Sequence, residues 1–151
     1  MKILTYSLLI ICTMSQVIAQ NVTETHKDSL NNMVQKYYDL NLNVFQENST
    51  IQDIDKVFEL FTDDFVYIHP KYGGTYTRED LYNGYVRNQK NGGYKGEETG
   101  VKIINKIIGL KAIVVQRSYV LKKDGLITDG EPQMTLFEFQ DGKISRIVEY
   151  W

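Results

Sequence analysis

Apolar residues recur along this chain at two spacings, and the change from one to the other divides it into a helical first half and a strand-rich second half. Leu30, Met33, Val34, Tyr37, Leu40, Val44 and Phe45 fall at helical spacing and predict a first helix with one apolar face. Ile54, Val57, Phe58 and Phe61 occupy the i, i+3, i+4, i+7 positions of a second helix, with Asp53 or Thr50 as its cap. Phe65 to His69 is aromatic and β-branched, which predicts a strand stopped by Pro70. Thr77 and Asp80 match the capping-box spacing and open a third helix carrying Leu81, Tyr82, Tyr85 and Val86. Asn91-Gly92-Gly93 and Gly96 then break the helical pattern.

Beyond that loop the chain predicts only strands: Val101 to Ile108, Lys111 to Leu121, Gln133 to Gln140 and Lys143 to Trp151. Glycines at 109, 125 and 130 separate them, and Asp141-Gly142 is a strong hairpin signal. Helices followed by antiparallel strands make an α+β order, with the helices on one face of the sheet. The strands are apolar on both faces, so the outer face is expected to be a dimer surface or sparsely polar. Register stays open: Met134, Leu136, Ile144 and Val148 compete with Thr135, Phe137 and Ile147 for the inner side, and a one-residue slip exchanges the sets.

Residues 1–19 have a different character. Lys2 precedes an apolar run from Ile3 to Met14, and Val17-Ile18-Ala19 is a small-residue cleavage pattern, so this segment is expected to be an export signal peptide. The apolar run is shorter than the ~20 residues of a membrane span. The mature protein is then periplasmic or extracellular, with residues 20–29 as a polar lead-in and 30–151 as one domain. Removing Lys2 leaves sixteen basic and nineteen acidic residues, a net charge of −3. Without a basic cluster, nucleic acid is not the expected partner. Cys12 leaves with the leader, so the mature chain has neither a disulfide nor a thiolate metal site, and no cofactor is expected.

Four stretches in this order resemble the nuclear transport factor 2-like superfamily, and within it the SnoaL-like proteins. They are Phe61-Thr-Asp-Asp-Phe-Val-Tyr-Ile-His-Pro70, the Gly74 to Leu81 helix entry, Ile108-Gly-Leu-Lys-Ala-Ile-Val-Val115 and Phe137-Glu-Phe-Gln-Asp-Gly-Lys-Ile144. The resemblance spans almost the whole mature chain. It implies a cone-shaped half barrel: a curved antiparallel sheet packed on three N-terminal helices, with a central pocket. The family contains ketosteroid isomerases, polyketide cyclases, dehydratases, epoxide hydrolases and binders without catalysis, so fold alone does not give function. Isomerase-like members carry a carboxylate where this chain has His69, and a second near the position of Thr135. They also use a first-helix tyrosine, for which Tyr37 and Tyr38 are the candidates. The epoxide-hydrolase pattern needs Arg-x-Asp; here Arg117 is followed by Tyr119 at the aspartate position.

His69 is the sharpest candidate for catalysis, because an imidazole titrates near working pH and can act as acid or base if a partner fixes its tautomer. The bland alternative is a strand-end histidine bonded to backbone. His26, in the lead-in, is expected to be solvated, and two histidines so far apart make no metal site. Arg117 either pairs with Glu149 or Glu138 as a structural ion pair or faces the pocket and orients an acidic ligand. Tyr67, Tyr119 and Trp151 are amphipathic aromatics suited to a pocket wall, and the tyrosines from Tyr67 to Tyr94 could rim its mouth. Gln133, Thr135 and Glu149 complete the ligand-binding candidates, subject to register. The leading expectation is an exported binder of a small, partly apolar molecule. The alternatives are a proton-transfer isomerase, cyclase or dehydratase using His69, and a dimeric interaction module.

Overall fold

In a computed structural model of the protein, residues 24–151 are described. The expected signal peptide and the start of the lead-in lie outside the described residues. Helix α1 runs over residues 24–44 and buries Leu30, Val34, Tyr37, Tyr38, Asn41 and Val44 along one stripe. It takes in residues 24–29, part of the expected lead-in. That polar turn is tethered rather than loose: His26 Nε2 donates to the Leu110 carbonyl at 2.6 Å. Helix α2 (Ile51–Phe58) starts at Thr50, whose N–H and Oγ1 both donate to the Asp53 carboxylate.

Strand β1 (Phe61–His69) leads through a single 3₁₀ turn (Pro70–Tyr72) to the short β2 (Gly74–Thr77) and helix α3 (Arg78–Lys90). The capping box at Thr77 forms in full: Asp80 N–H donates to Thr77 Oγ1 at 3.1 Å, and Thr77 N–H to Asp80 Oδ2 at 3.0 Å. Strands β3 (Glu98–Ile108), β4 (Ala112–Lys123), β5 (Leu126–Asp129), β6 (Gln133–Gln140) and β7 (Lys143–Glu149) follow. Asp141 and Gly142 both have positive φ, as the β6–β7 hairpin requires, and Asp124-Gly125 turns β4 into β5 in the same way.

All seven strands form one curved sheet, in the order β2-β1-β7-β6-β4-β3, with β5 added along β4. Five of its six pairings are antiparallel as expected; β1 lies parallel to β7, which makes the sheet mixed. That pair joins segments some eighty residues apart, so no local pattern announces it.

The register takes from both competing sets. Thr135, Phe137 and Phe139 of β6 face the helices, opposite Glu149, Ile147 and Ile144 of β7. A bulge between the Glu138 and Phe139 pairings inserts Ser145 without a partner. The extra residue resets the alternation, so Ile144 and Ile147 both point inward although they are three apart. In the core, Phe61 stacks on Phe65 at 3.9 Å, and Phe137 meets Tyr37 and Tyr38 edge-on. The outer face carries an apolar row across five strands, Ile68, Val148, Leu136, Val114 and Ile107, with Met134 beside it.

Candidate functional site

At the end of the sheet where β1 reaches Pro70, the core is not filled. A cavity of about 420 Å³ lies between the inner sheet face, α1 and α3. Inward alternation on β1 brings Tyr67 and His69 into its wall, and the same alternation on β4 brings Arg117 and Tyr119. Glu149 and Trp151 close it from β7 and the residues after it, and Tyr37 enters from α1. From α3 come Leu81, Gly84 and Tyr85, with the exposed Asp80 and Arg87 at the mouth.

Seven of the ten candidate residues therefore meet around one space: Tyr37, Tyr67, His69, Arg117, Tyr119, Glu149 and Trp151. The remaining three stand behind it. Tyr38 is buried in the core with its ring 5.4 Å below the Arg117 guanidinium, and its hydroxyl has no hydrogen-bond partner. Gln133 accepts from Arg117 Nη1, and Thr135 Oγ1 donates to Glu149 Oε2 at 2.7 Å. Tyr72, Tyr76, Tyr85 and Tyr94, among the tyrosines expected at its mouth, also line the cavity, whereas Phe45 and Gly84 were not among the candidates. A glycine inside a helix was the readable signal for Gly84, since it costs helix stability unless something needs the space.

His69 is 2 % exposed, set between the Tyr72 ring at 4.3 Å and the Trp151 ring at 4.6 Å. Neither ring nitrogen has a protein hydrogen-bond partner. Burial lowers its pKa, Glu149 pulls the other way and Lys71 reinforces the lowering, so the imidazole is held toward its neutral form. The backbone-bonded histidine is thus not what forms.

Arg117 is 3 % exposed and its guanidinium stacks 4.2 Å from the Tyr119 ring. Glu138 bonds Arg146 at 2.7 Å instead, and among the described residues no carboxylate comes within 4.0 Å of Arg117. The structural ion pair with Glu149 or Glu138 therefore does not form, and Arg117 Nε is buried without a hydrogen-bond partner among the described residues. Burial lowers the guanidinium pKa, but Tyr119, Tyr38 and Glu149 outweigh it, and the group stays charged.

Glu149 is 4 % exposed, and its Oε2 accepts from Thr135 Oγ1 and Trp151 Nε1, each at 2.7 Å. The tyrosines remain neutral donors: burial raises Tyr37, Tyr67, Tyr85 and Tyr119 well above the usual phenol range, and Tyr38 to about 12. Among the described residues no cluster of three His, Cys, Asp or Glu could hold a metal ion.

No family model matches the chain, and no curated protein matches it. Solved structures do. An NTF-2 like protein of unknown function from Burkholderia xenovorans LB400 superimposes with a TM-score of 0.55 over 83% of this chain and 84% of that one, at 14% identity. The chain thus has a nuclear transport factor 2-like fold. A Catenulispora acidiphila DSM 44928 protein with a ketosteroid isomerase-like fold, solved in complex with trimethylamine, gives 0.53 at 17% identity, covering 79% and 84% of the two chains. An LEH-like epoxide hydrolase from M. tuberculosis gives 0.53 at 20% identity, covering 79% of each. Such nuclear transport factor 2-like cones differ in chemistry, and identities this low carry the fold alone.

Proposed function

We propose that this protein is an exported binder of a small, partly apolar molecule held in the cone's cavity. The observation that carries the reading is the cavity itself: about 420 Å³, walled by tyrosines and Trp151, with Arg117, Glu149 and His69 as a few inward polar groups. That size and composition suit a small-molecule site. The trimethylamine bound by the Catenulispora protein supports the idea that cones of this shape take small ligands. Export rests on the leader pattern of residues 1–19.

Proton transfer is the weaker reading. A general base needs a partner that fixes its tautomer, and His69 has none among the described residues. The isomerase-like carboxylate at that place is replaced by His69 itself, and the second by Thr135. A further role, pairing two copies through the outer sheet face, is favoured by the apolar row from Ile68 to Ile107, where Ile107 is 69% and Met134 41% exposed.

Native mass spectrometry of protein purified from its own source tests the binding reading, together with a Gly84→Leu variant. A Cβ added at Gly84 would meet no atom within 4 Å, and the glycine lines the cavity from α3. Leucine also favours the helix over glycine by about 0.8–1 kcal/mol, so the variant should fold. The wild type should carry a small adduct at one per chain that Gly84→Leu lacks. An adduct equally abundant on a folded Gly84→Leu protein would place the ligand elsewhere.

A further inference from the structure

The cavity holds two buried groups of opposite charge type, Arg117 and Glu149, that form no direct ion pair. Arg117 Nη1 rests on the neutral amide oxygen of Gln133, and its Nε has no partner. Glu149 directs Oε2 at two neutral donors, Thr135 and Trp151, while no described residue donates to its Oε1. More than 4.0 Å separates the charged atoms. The reason is the ladder: Arg117 is on β4 and Glu149 on β7, with β6 between them, so their backbones stand roughly 10 Å apart. Each group is buried and its direct hydrogen-bond partners are neutral, so a ligand in the cavity can supply the counter-charges.

A ligand bearing one charge cannot do so. An anion would satisfy Arg117 and leave Glu149 facing a like charge; a cation would do the reverse. We propose that the cavity takes a zwitterion with an apolar body, its carboxylate on Arg117 and its cationic nitrogen on Glu149 Oε1. Arginine's planar fork suits a carboxylate. On the other side, the Trp151 indole is fixed to Glu149, and Tyr37 and Tyr67 line the same cavity, so aromatic side chains border the place for the cationic nitrogen. The remaining tyrosine and phenylalanine wall accepts an aromatic or aliphatic body, and the volume fits an amino acid of aromatic size. An aromatic α-amino acid is the simplest member of that class. This assignment rests on the binding reading above and narrows it to a ligand chemistry.

Four probes on one skeleton separate the possibilities: L-phenylalanine, phenethylamine (cation only), 3-phenylpropanoate (anion only) and 3-phenylpropanamide (neutral). Isothermal titration calorimetry on the wild-type chain should rank phenylalanine above each of the others by about tenfold or more, as expected for a charged hydrogen bond gained. Arg117→Met should abolish its advantage over phenethylamine, and Glu149→Gln its advantage over phenylpropanoate. The wild-type ranking stands whether or not the variants fold. Equal binding of all four, or tighter binding of a singly charged probe, overturns the zwitterion while leaving the cavity a binding site. If none of the four binds, this proposal falls, and the native mass adduct and its loss in Gly84→Leu decide the binding reading separately.

Discussion

Replacing His69 by phenylalanine should make the protein less sensitive to acid, although it removes one of its most deeply buried polar groups. Burial holds the folded-state pKa of His69 below its ordinary 6.5, against a smaller upward pull from Glu149. The unfolded chain, with water around the ring, titrates near the ordinary value. Below about pH 6.5 the unfolded state therefore binds a proton that the folded state refuses, and stability falls as the solution is acidified. The window opens at the unfolded pKa and closes at the lower folded one; above it the two states agree. Linkage sets the loss at about 1.4 kcal/mol for each pH unit that separates the two pKa values. Water entering past the exposed Asp80 and Arg87 makes this an upper bound.

Phenylalanine keeps the ring between Tyr72 and Trp151, and it cannot titrate. For a domain of this size, roughly 3–6 °C accompanies each kcal/mol. Thermal melts of both proteins near neutral pH and near pH 5.5 provide the comparison, and the carboxylates common to both cancel. The wild type should lose more than the variant on acidification, by up to about 4–8 °C per pH unit of that window. Equal losses, or an imidazole resonance titrating at or above 6.5 in the folded protein, would mean that Glu149 outweighs burial and the reasoning is wrong.

Three further outcomes follow from the packing. Phe137 has no exposed surface and meets both Tyr37 and Tyr38, so Phe137→Ala should cost about 3–5 kcal/mol in urea unfolding. A loss below about 1 kcal/mol would mean that the aromatic core is not as described. Thr135→Val preserves shape but removes a donor to the buried Glu149, and the denaturation midpoint should report about 1–3 kcal/mol of lost stability; an unchanged midpoint would deny the bond. If the outer face pairs two copies, light scattering should show a dimer that Met134→Glu dissociates, and a wild-type monomer removes that role.

Most of the elements could be read from local chemistry. Thr77 with Asp80 marked the start of α3, and Asp141-Gly142 marked its hairpin, because caps and tight turns are decided by a few adjacent residues. Two short strands were not legible: Gly74 to Thr77 and Leu126 to Asp129 have four residues each, too few to show a period. The parallel seating of β1 on β7 and the bulge at Ser145 depend on pairing between distant segments. That bulge is what places Thr135 and Glu149 on the inner face together with both Ile144 and Ile147.

The site divides along similar lines. Its aromatic wall and its titratable groups were visible as residue types, and alternation along β1 and β4 carried Tyr67, His69, Arg117 and Tyr119 to one side. Which group bonds which could not be read. The choice among Glu138, Glu149 and Gln133 as the partner of Arg117 turned on register. Likewise the hold of Trp151 on Glu149 depends on how the chain leaves β7.

Trp151 supplies the most direct measurement, because it is the chain's only tryptophan and its ring borders the cavity. Its fluorescence can be followed while a small aromatic probe, 3-phenylpropanamide or L-phenylalanine, is titrated into wild type and Gly84→Leu. An open cavity predicts a saturable change in the wild type that is lost when leucine fills the space. The same saturable curve in both proteins would contradict the claim that this cavity is where the cone takes its ligand.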